Sequence, residues 1–131
     1  MERTAVNPWP WSVGMGYNQA EIIEGRRREL ICAGQTSVDA EGNPQHAGDM
    51  RAQAALALDN LEAVLAGADM TLSNVIRLNF YVTDVDAFFG AMDVLGERLG
   101  AAGVTPPGTL LGVARLAYPE LMVEMEATAA D

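Results

Sequence analysis

The stretch that decides the fold is NVIRLNFYVTDVDAF, Asn74–Phe88, which leads from a strand into a helix. From Asn74 to Thr83 apolar and polar residues alternate, as they do in a strand with one buried face. The apolar set is Ile76, Leu78, Phe80 and Val82, and the polar set is Arg77, Asn79, Tyr81 and Thr83. Asp84 and Asp86 favour the positive end of a helix that follows. The apolar stripe of this helix is Phe88, Met92, Leu95 and Leu99.

The residues before this stretch predict two strands and a helix. Residues 17–24 and 28–36 are expected to form strands, joined as a hairpin at Gly25 and the arginine run Arg26–Arg28. Val38–Gly48 is a polar loop. Asp49 begins a helix that ends at Gly67, with its apolar face formed by Ala54, Leu58, Leu61 and Leu65.

The residues after it predict a second hairpin. Pro106 and Pro107 are excluded from a central strand, so a strand is expected to begin near Thr109. Tyr118–Glu120 turns the chain, and a last strand runs over residues 121–128. The predicted order is therefore β-β-α-β-α-β-β, an α+β fold in a single domain of residues 1–131.

This order of elements predicts a mixed sheet that two helices cover on one face. The segment from Asn74 to Leu116 is long enough for a right-handed crossover between parallel strands. The uncovered face is expected to carry Asn79, Tyr81, Glu124 and Glu126, mixed with Leu110, Gly112 and Ala114. Such a face is too apolar to remain in water, so we expect an oligomer that buries it.

Composition excludes several classes of function. The 131 residues carry 18 acidic and 8 basic side chains, a net charge of -10, which disfavours binding to nucleic acid. No apolar run is long enough for a membrane span, and a single cysteine fits a reducing cytoplasm. The only histidine, His46, lies in a loop without a Cys/His cluster, so neither a metal nor another cofactor is expected.

Three motifs together resemble the RidA family, also called YjgF/YER057c/UK114. They are GQTSVDAEGN, NVIRLNFYVTDVDAF and VARLAYPELMVEMEATA, and the likeness extends from about Tyr17 to Ala129. The resemblance implies a chorismate-mutase-like α+β fold, assembled as a homotrimer around a central barrel with ligand clefts between subunits. It also implies a cofactor-independent deaminase that hydrolyses enamine and imine acids such as 2-aminoacrylate. In such an enzyme an arginine binds the substrate carboxylate and a carboxyl group positions water.

The family's site residues match this chain in part. Its cleft tyrosine matches Tyr17, and its water-positioning glutamate matches Glu124. Gly34 matches the glycine of the family's SGQ motif, and Ala33 replaces the serine. Glu124 has two interpretations, catalysis or ligand binding on one hand and a structural ion pair on the other.

The carboxylate-binding arginine is missing. Aligned through GVARL, Gly108 occupies its position, and Leu110 replaces the cysteine often found two residues later. Arg115 is about 23 Å farther along an extended strand and is expected to be a structural or rim residue. Arg77 is open to two interpretations, a salt bridge to Glu124 or Glu126 and, less favoured, a substrate clamp.

These observations favour a cofactor-independent enzyme in an inter-subunit cleft. Its substrate would be a neutral or larger enamine, imine or related metabolite, with weak or no activity on 2-aminoacrylate. The alternative is a non-catalytic trimer that binds a ligand or a protein. Endoribonuclease activity is disfavoured by the acidic surface and by the lack of a catalytic His/Lys set. In the predicted hairpin Glu124 pairs near Ala114, roughly 20 Å along the strand from Gly108. One chain could then hardly bring both residues to a small ligand, which favours a site between subunits.

Overall fold

The computed structural model describes residues 1–131 and contains seven strands and three α-helices. The strands are β1 Glu2–Val6, β2 Ala20–Glu24, β3 Glu29–Ile31, β4 Gln35–Thr36, β5 Val75–Val82, β6 Leu110–Gly112 and β7 Val123–Ala130. The helices are α1 Met50–Ala66, α2 Val85–Phe89 and α3 Met92–Ala102, and two 3-10 helices cover Pro10–Met15 and Leu72–Asn74. No helix combines the length and apolar character needed to cross a membrane.

The main sheet is mixed, as predicted. Its strands lie in the order β3-β7-β5-β6, and β4 also pairs with β7. β5 and β6 are parallel, whereas β7 is antiparallel to β5, β3 and β4. The long strand predicted from the alternation, β5, is therefore the strand between the parallel and the antiparallel part of the sheet.

The predicted C-terminal hairpin is wrong. β6 and β7 do not pair with each other, because β5 lies between them. Residues 113–122 connect them, a segment far longer than a tight hairpin turn, so the chain can pass across β5. Glu124 consequently pairs with Tyr81 and Thr36 and not near Ala114.

The predicted N-terminal hairpin is also wrong. β2 pairs with β1, an unpredicted strand, in a separate two-stranded sheet, and β3 pairs with β7. Arg3 connects the small sheet to the main one, since its guanidinium binds Glu21 at 2.7 Å and donates to the carbonyls of Ser73 and Val75. Arg28, at the end of the arginine run, binds Asp131 beyond the end of β7.

The core lies between the sheet and the helices. Leu78, Val82, Val123 and Met125 of the sheet are fully buried, together with Leu58, Leu61, Leu65 and Leu95 of the helices. Asp49 caps α1, because its carboxylate accepts a hydrogen bond from the backbone N–H of Ala52 at 3.1 Å. The second predicted helix is interrupted at Gly90 and Ala91, which separate α2 from α3.

The other face of the main sheet is uncovered by helices. It carries Asn79, Tyr81, Glu124 and Glu126, as predicted. The prediction for Leu110 and Gly112 is wrong, because they pair with Phe80 and Val82 and so lie on the helix side. The apolar residues on the open face are instead Ile31 and Leu111, which are 71% and 49% exposed.

A buried glutamine fixes the start of β7. The Gln53 amide, fully buried in α1, donates to the carbonyls of His46 and Glu120 at 3.1 and 2.8 Å. Its oxygen accepts from the backbone N–H of Met122 at 2.8 Å. Gln53 therefore ties the helix to the chain just before Glu124.

Replacing Gln53 by leucine should destabilise the fold by about 2–3 kcal/mol, because a buried backbone donor and two carbonyls lose their partner. Urea denaturation measures the effect. Gln35→Leu is the control, since its amide makes one long bond of 3.4 Å, and should change stability by less than about 0.5 kcal/mol. Equal losses in both variants would contradict the role given to Gln53.

Candidate functional site

A cleft lies on the helix side of the sheet, between the first 3-10 helix, α2, α3 and the edge strand β6. It has two connected lobes of about 450 and 240 Å³. They share Met15, Tyr17, Leu78, Phe80, Phe89, Met92 and Pro106. The smaller, here the β6 lobe, also contacts Phe88, Gly108, Thr109 and Leu110. The larger, here the α3 lobe, extends along α3 to Leu99 and Val104.

Tyr17 is held at the cleft by the residues that follow the 3-10 helix. Gly16 ends that helix with φ 90°, a left-handed conformation that favours glycine. The backbone N–H of Tyr17 donates to the Ser12 carbonyl, and the ring meets Trp11 edge-on, 6.1 Å between centroids. The adjacent Asn18 bonds Thr105 through its backbone and its side chain, at 3.0 and 2.9 Å. Asn18 thus holds the neighbouring Tyr17 close to Thr105 and Pro106, in the segment that leads into β6.

Gly108 lies at the base of the β6 lobe in close contact with β5. A Cβ at this position would collide with the Leu78 carbonyl group, at 2.6 Å from its carbon. Thr109 donates its N–H to the Asn79 side chain at 3.0 Å, while Leu78 donates to the Pro107 carbonyl at 3.1 Å. The backbone approach therefore requires glycine at 108, and an arginine would need a different path for this segment.

Leu110 is in the β6 lobe, on the same side of the sheet as Phe80. The lobe thus brings together three of the predicted site residues, Tyr17, Gly108 and Leu110. Ala33, Gly34 and Glu124 do not line either lobe. The predicted site is divided between two places in the chain.

Glu124 and Gly34 form the second group, on the open face of the sheet. A Cβ at Gly34 would overlap the Glu124 carboxylate, with its Cδ at 2.7 Å, so glycine leaves the space that this carboxylate occupies. Ala33, just before Gly34, is exposed. The sheet separates Glu124 from the cleft, because Glu124 pairs with Tyr81 while the cleft contacts the oppositely directed Phe80.

Polar side chains surround Glu124 on this face. Glu126 accepts hydrogen bonds from Asn79 at 3.1 Å and from the Tyr81 hydroxyl at 3.0 Å. The hydrogen bond to Glu126 raises the pKa of Tyr81, and partial desolvation and the charges of Glu126 and Glu124 raise it further. Tyr81 therefore remains a protonated donor across the neutral range.

The two arginines in question lie outside the cleft. Arg77 is exposed and makes no ion pair within 4 Å, so the salt bridge to Glu124 or Glu126 expected from the sequence is absent in the single chain. Arg115 is exposed and donates to the neighbouring Leu116 carbonyl at 3.2 Å. Neither Arg77 nor Arg115 lines the cleft of this chain.

The cleft is nearly free of charge. Its one charged lining residue is Asp93, whose two carboxylate oxygens each accept from Arg51 at 2.7 Å. The hydrogen bond from Arg51 lowers the pKa of Asp93. No group of three or more His, Cys, Asp or Glu side chains is placed to hold a metal ion.

Sequence reasoning missed two positioning residues. Asn79 joins the two groups, because its oxygen binds Thr109 at the cleft and its nitrogen binds Glu126 on the open face. Asparagine is uncommon in strands, so the occurrence of Asn79 inside β5 could have marked it from the sequence as a residue with a specific role. Asn18, which contacts Thr105 across the chain, had no comparable signal in the sequence.

Comparison with known proteins decides the family. The family model described as Endoribonuclease L-PSP matches residues 12–131. The chain belongs to this family, the Rid or YjgF/YER057c/UK114 proteins. The family and the chorismate-mutase-like α+β fold predicted from the sequence are thereby confirmed.

Relatives of this Rid-family chain agree over most of its length. The mitochondrial protein mmf2 of Schizosaccharomyces pombe is 32% identical over 99 residues, 76% of this chain and 75% of that protein. The structure of YyfB from Yersinia pestis, a Rid protein of unknown function, has a TM-score of 0.88 and 33% identity, covering 99% of both chains. Escherichia coli TdcF, solved with bound serine, has a TM-score of 0.71 and 26% identity over 88% of this chain and 87% of that one.

Gly108→Ala should lower the free energy of unfolding by about 1–3 kcal/mol, since its methyl group collides with a backbone carbonyl of the central strand. Gly112→Ala, at the end of β6, is the control. Its Cβ would meet only a Val85 methyl group, at 3.1 Å, so we expect a loss below about 1 kcal/mol. Urea denaturation distinguishes them, and a Gly108→Ala protein as stable as the wild type would show that the strand can yield.

Proposed function

We propose that this chain is a cofactor-independent hydrolase that converts a neutral enamine or imine into a carbonyl compound and ammonia. The reaction takes place in a cleft completed by a neighbouring subunit. The observation that carries the proposal is the contact between Gly34 and Glu124. Because glycine has no side chain, the Glu124 carboxylate can occupy the space against the backbone of Gly34. Support also comes from the family, whose resemblance implies this chemistry.

The hydrolysis requires few catalytic groups from the protein. Water adds to the carbon of the C=N bond, and the resulting amino alcohol expels ammonia as the C=O bond forms. An enamine first takes a proton on carbon to become the imine. In this proposal the Glu124 carboxylate positions the water and accepts its proton, which then goes to the leaving nitrogen.

The electrostatics of the cleft favour an uncharged substrate. TdcF was solved with serine, which carries a carboxylate. In this chain Gly108 offers no side chain at the position of the family's arginine, no arginine lines either lobe, and Arg51 beside the α3 lobe is engaged by Asp93. A buried carboxylate without a cationic partner is costly, so carboxylate substrates should bind poorly.

The separation of Glu124 from its own cleft motivates the proposed assembly. Because the sheet lies between them, a complete site needs Glu124 from one subunit and Tyr17 from another. Ile31 and Leu111 are exposed on the same face as Glu124 and Glu126, and they add apolar surface of the kind that is buried between copies. We propose a homotrimer, as the family resemblance implies.

RNA is not proposed as the substrate, despite the description of the family model. Arg26, Arg27 and Arg28 bind Glu29 or Asp131, and the net charge is -10. This leaves little positive surface for a phosphate backbone.

The assembly is tested by light scattering at micromolar concentration. We expect the mass of a trimer for the wild type and a smaller mass for Ile31→Glu, which places a charge at an apolar position of the face that the trimer would bury. Ile22→Glu, at an exposed position of the separate two-stranded sheet, controls for added charge. A monomeric wild type would refute the assembly.

The activity is tested by ammonia release from two freshly generated substrates. One is 2-aminoacrylate and the other is a neutral imine produced in situ by a flavin-dependent amine oxidase. We expect kcat/KM for 2-aminoacrylate to be at least about tenfold lower, because losing a charge-assisted hydrogen bond removes roughly 1.5–3 kcal/mol.

Variants connect this activity to the carboxylate. Glu124→Gln should lose at least about tenfold in neutral-imine hydrolysis. Gly34→Ala should lose activity similarly, since its methyl group displaces the carboxylate, and the double variant should lose little more. Glu126→Gln is the matched control. Full activity in Glu124→Gln would contradict the mechanism, and ligand binding without turnover would favour the non-catalytic alternative.

A further inference from the structure

The cleft is larger than hydrolysis of a small imine requires. Gly108 and Leu110, two positions that the family resemblance assigns to substrate binding, line the β6 lobe of about 240 Å³. The α3 lobe, about 450 Å³, opens from the same space in the other direction, between Gly14–Gly16 and α3. A molecule bound in the β6 lobe can therefore extend into the α3 lobe past the shared residues Tyr17 and Met92.

The lining of the α3 lobe is apolar. Met92, Leu95 and Leu99 of α3 and the following Val104 form one side, and Met15 lies on the other. The lone charge, Asp93, is held by Arg51 through two hydrogen bonds of 2.7 Å. Apolar walls with few polar groups are typical of sites for apolar parts of small molecules.

A glycine in the middle of α3 keeps the lobe open. Gly96 lines the lobe, and a Cβ added there would meet no atom within 4 Å. Glycine is unfavourable inside helices relative to alanine, so its presence here calls for a reason beyond helix formation. Gly100, one turn later, is equally open but does not line the cleft. Substitutions at Gly96 and Gly100 therefore compare a lobe-lining position with a matched position outside the lobe on the same helix.

We propose that the α3 lobe is a subsite for an apolar group of the substrate, an aryl ring or a branched alkyl group attached to the neutral enamine or imine. This inference rests on the proposed function and names its substrate class. The reacting carbon lies in the β6 lobe, and the apolar group lies along Met92, Gly96 and Leu99. Leu95 and Val104 close the lobe at its inner side.

The test uses three probes that resemble the carbonyl product. Benzylacetone is a neutral ketone with a phenyl group, butanone is the same head without the ring, and hydrocinnamate carries the ring with a carboxylate. Their dissociation constants come from titrations followed by methyl NMR of isotope-labelled methionine, because Met15 and Met92 lie at the lobe. In the wild type, benzylacetone should bind at least about tenfold more tightly than either other probe.

Substitutions on α3 locate the ring. In Gly96→Leu the leucine fills the lobe, so the ratio of benzylacetone to butanone affinity should fall to near one. In Gly100→Leu the ratio should equal that of the wild type. An unchanged ratio in Gly96→Leu, or no preference for benzylacetone in the wild type, would overturn the subsite. So would a change in the assembly mass of Gly96→Leu, since it would indicate that a second copy of the chain occupies the lobe.

The outcomes separate this inference from the function on which it rests. Turnover of a small neutral imine without any preference for the ring would refute the subsite and leave the hydrolase intact. Tight, Gly96-dependent binding of benzylacetone without hydrolysis of any imine would refute the hydrolase and support the subsite.

Discussion

The pairing of β5 with β6 on one side and β7 on the other is the constraint on which the rest depends. Side chains alternate along β5, so Leu78, Phe80 and Val82 face the helices and Asn79 and Tyr81 lie on the open face. The same alternation, carried across the ladders, places Leu110 on the helix side and Glu124 on the open side. One chain therefore presents the two groups of predicted site residues on opposite faces of its sheet.

Two close backbone approaches shape the two faces of the sheet where the predicted site residues lie. Gly108 allows the segment before β6 to lie against the Leu78 carbonyl, which leaves no room for a Cβ at this position. Gly34 allows the Glu124 carboxylate to lie over the backbone. Asn79 bridges the two regions through Thr109 and Glu126. Both close approaches depend on the absence of a Cβ at the glycine.

Local periodicity made much of the fold predictable. The helix capped by Asp49 and the alternation of β5 follow from residues close in sequence, and the family motifs identify the Rid fold. Both predicted hairpins failed because pairing depends on distant partners. β2 pairs with β1 instead of β3, where Arg3 binds Glu21, and β6 pairs with β5 instead of β7. The face predicted for Leu110 was wrong because β6 has only three residues, and so short an alternation does not show which side chains point to which face of the sheet.

The most direct test of the two-subunit site is activity in mixed oligomers. Tyr17→Ala removes the cleft side of the site and Glu124→Gln removes the carboxylate side, so each variant alone should retain at most about a tenth of wild-type activity on a neutral imine. When equal amounts are unfolded and refolded together, random assembly should restore about a quarter of the sites, because each intact site draws one chain of each kind. Mixed oligomers that recover about a quarter of wild-type activity would agree with the account. Mixed oligomers that remain inactive would show that each site is built within one chain, which contradicts it.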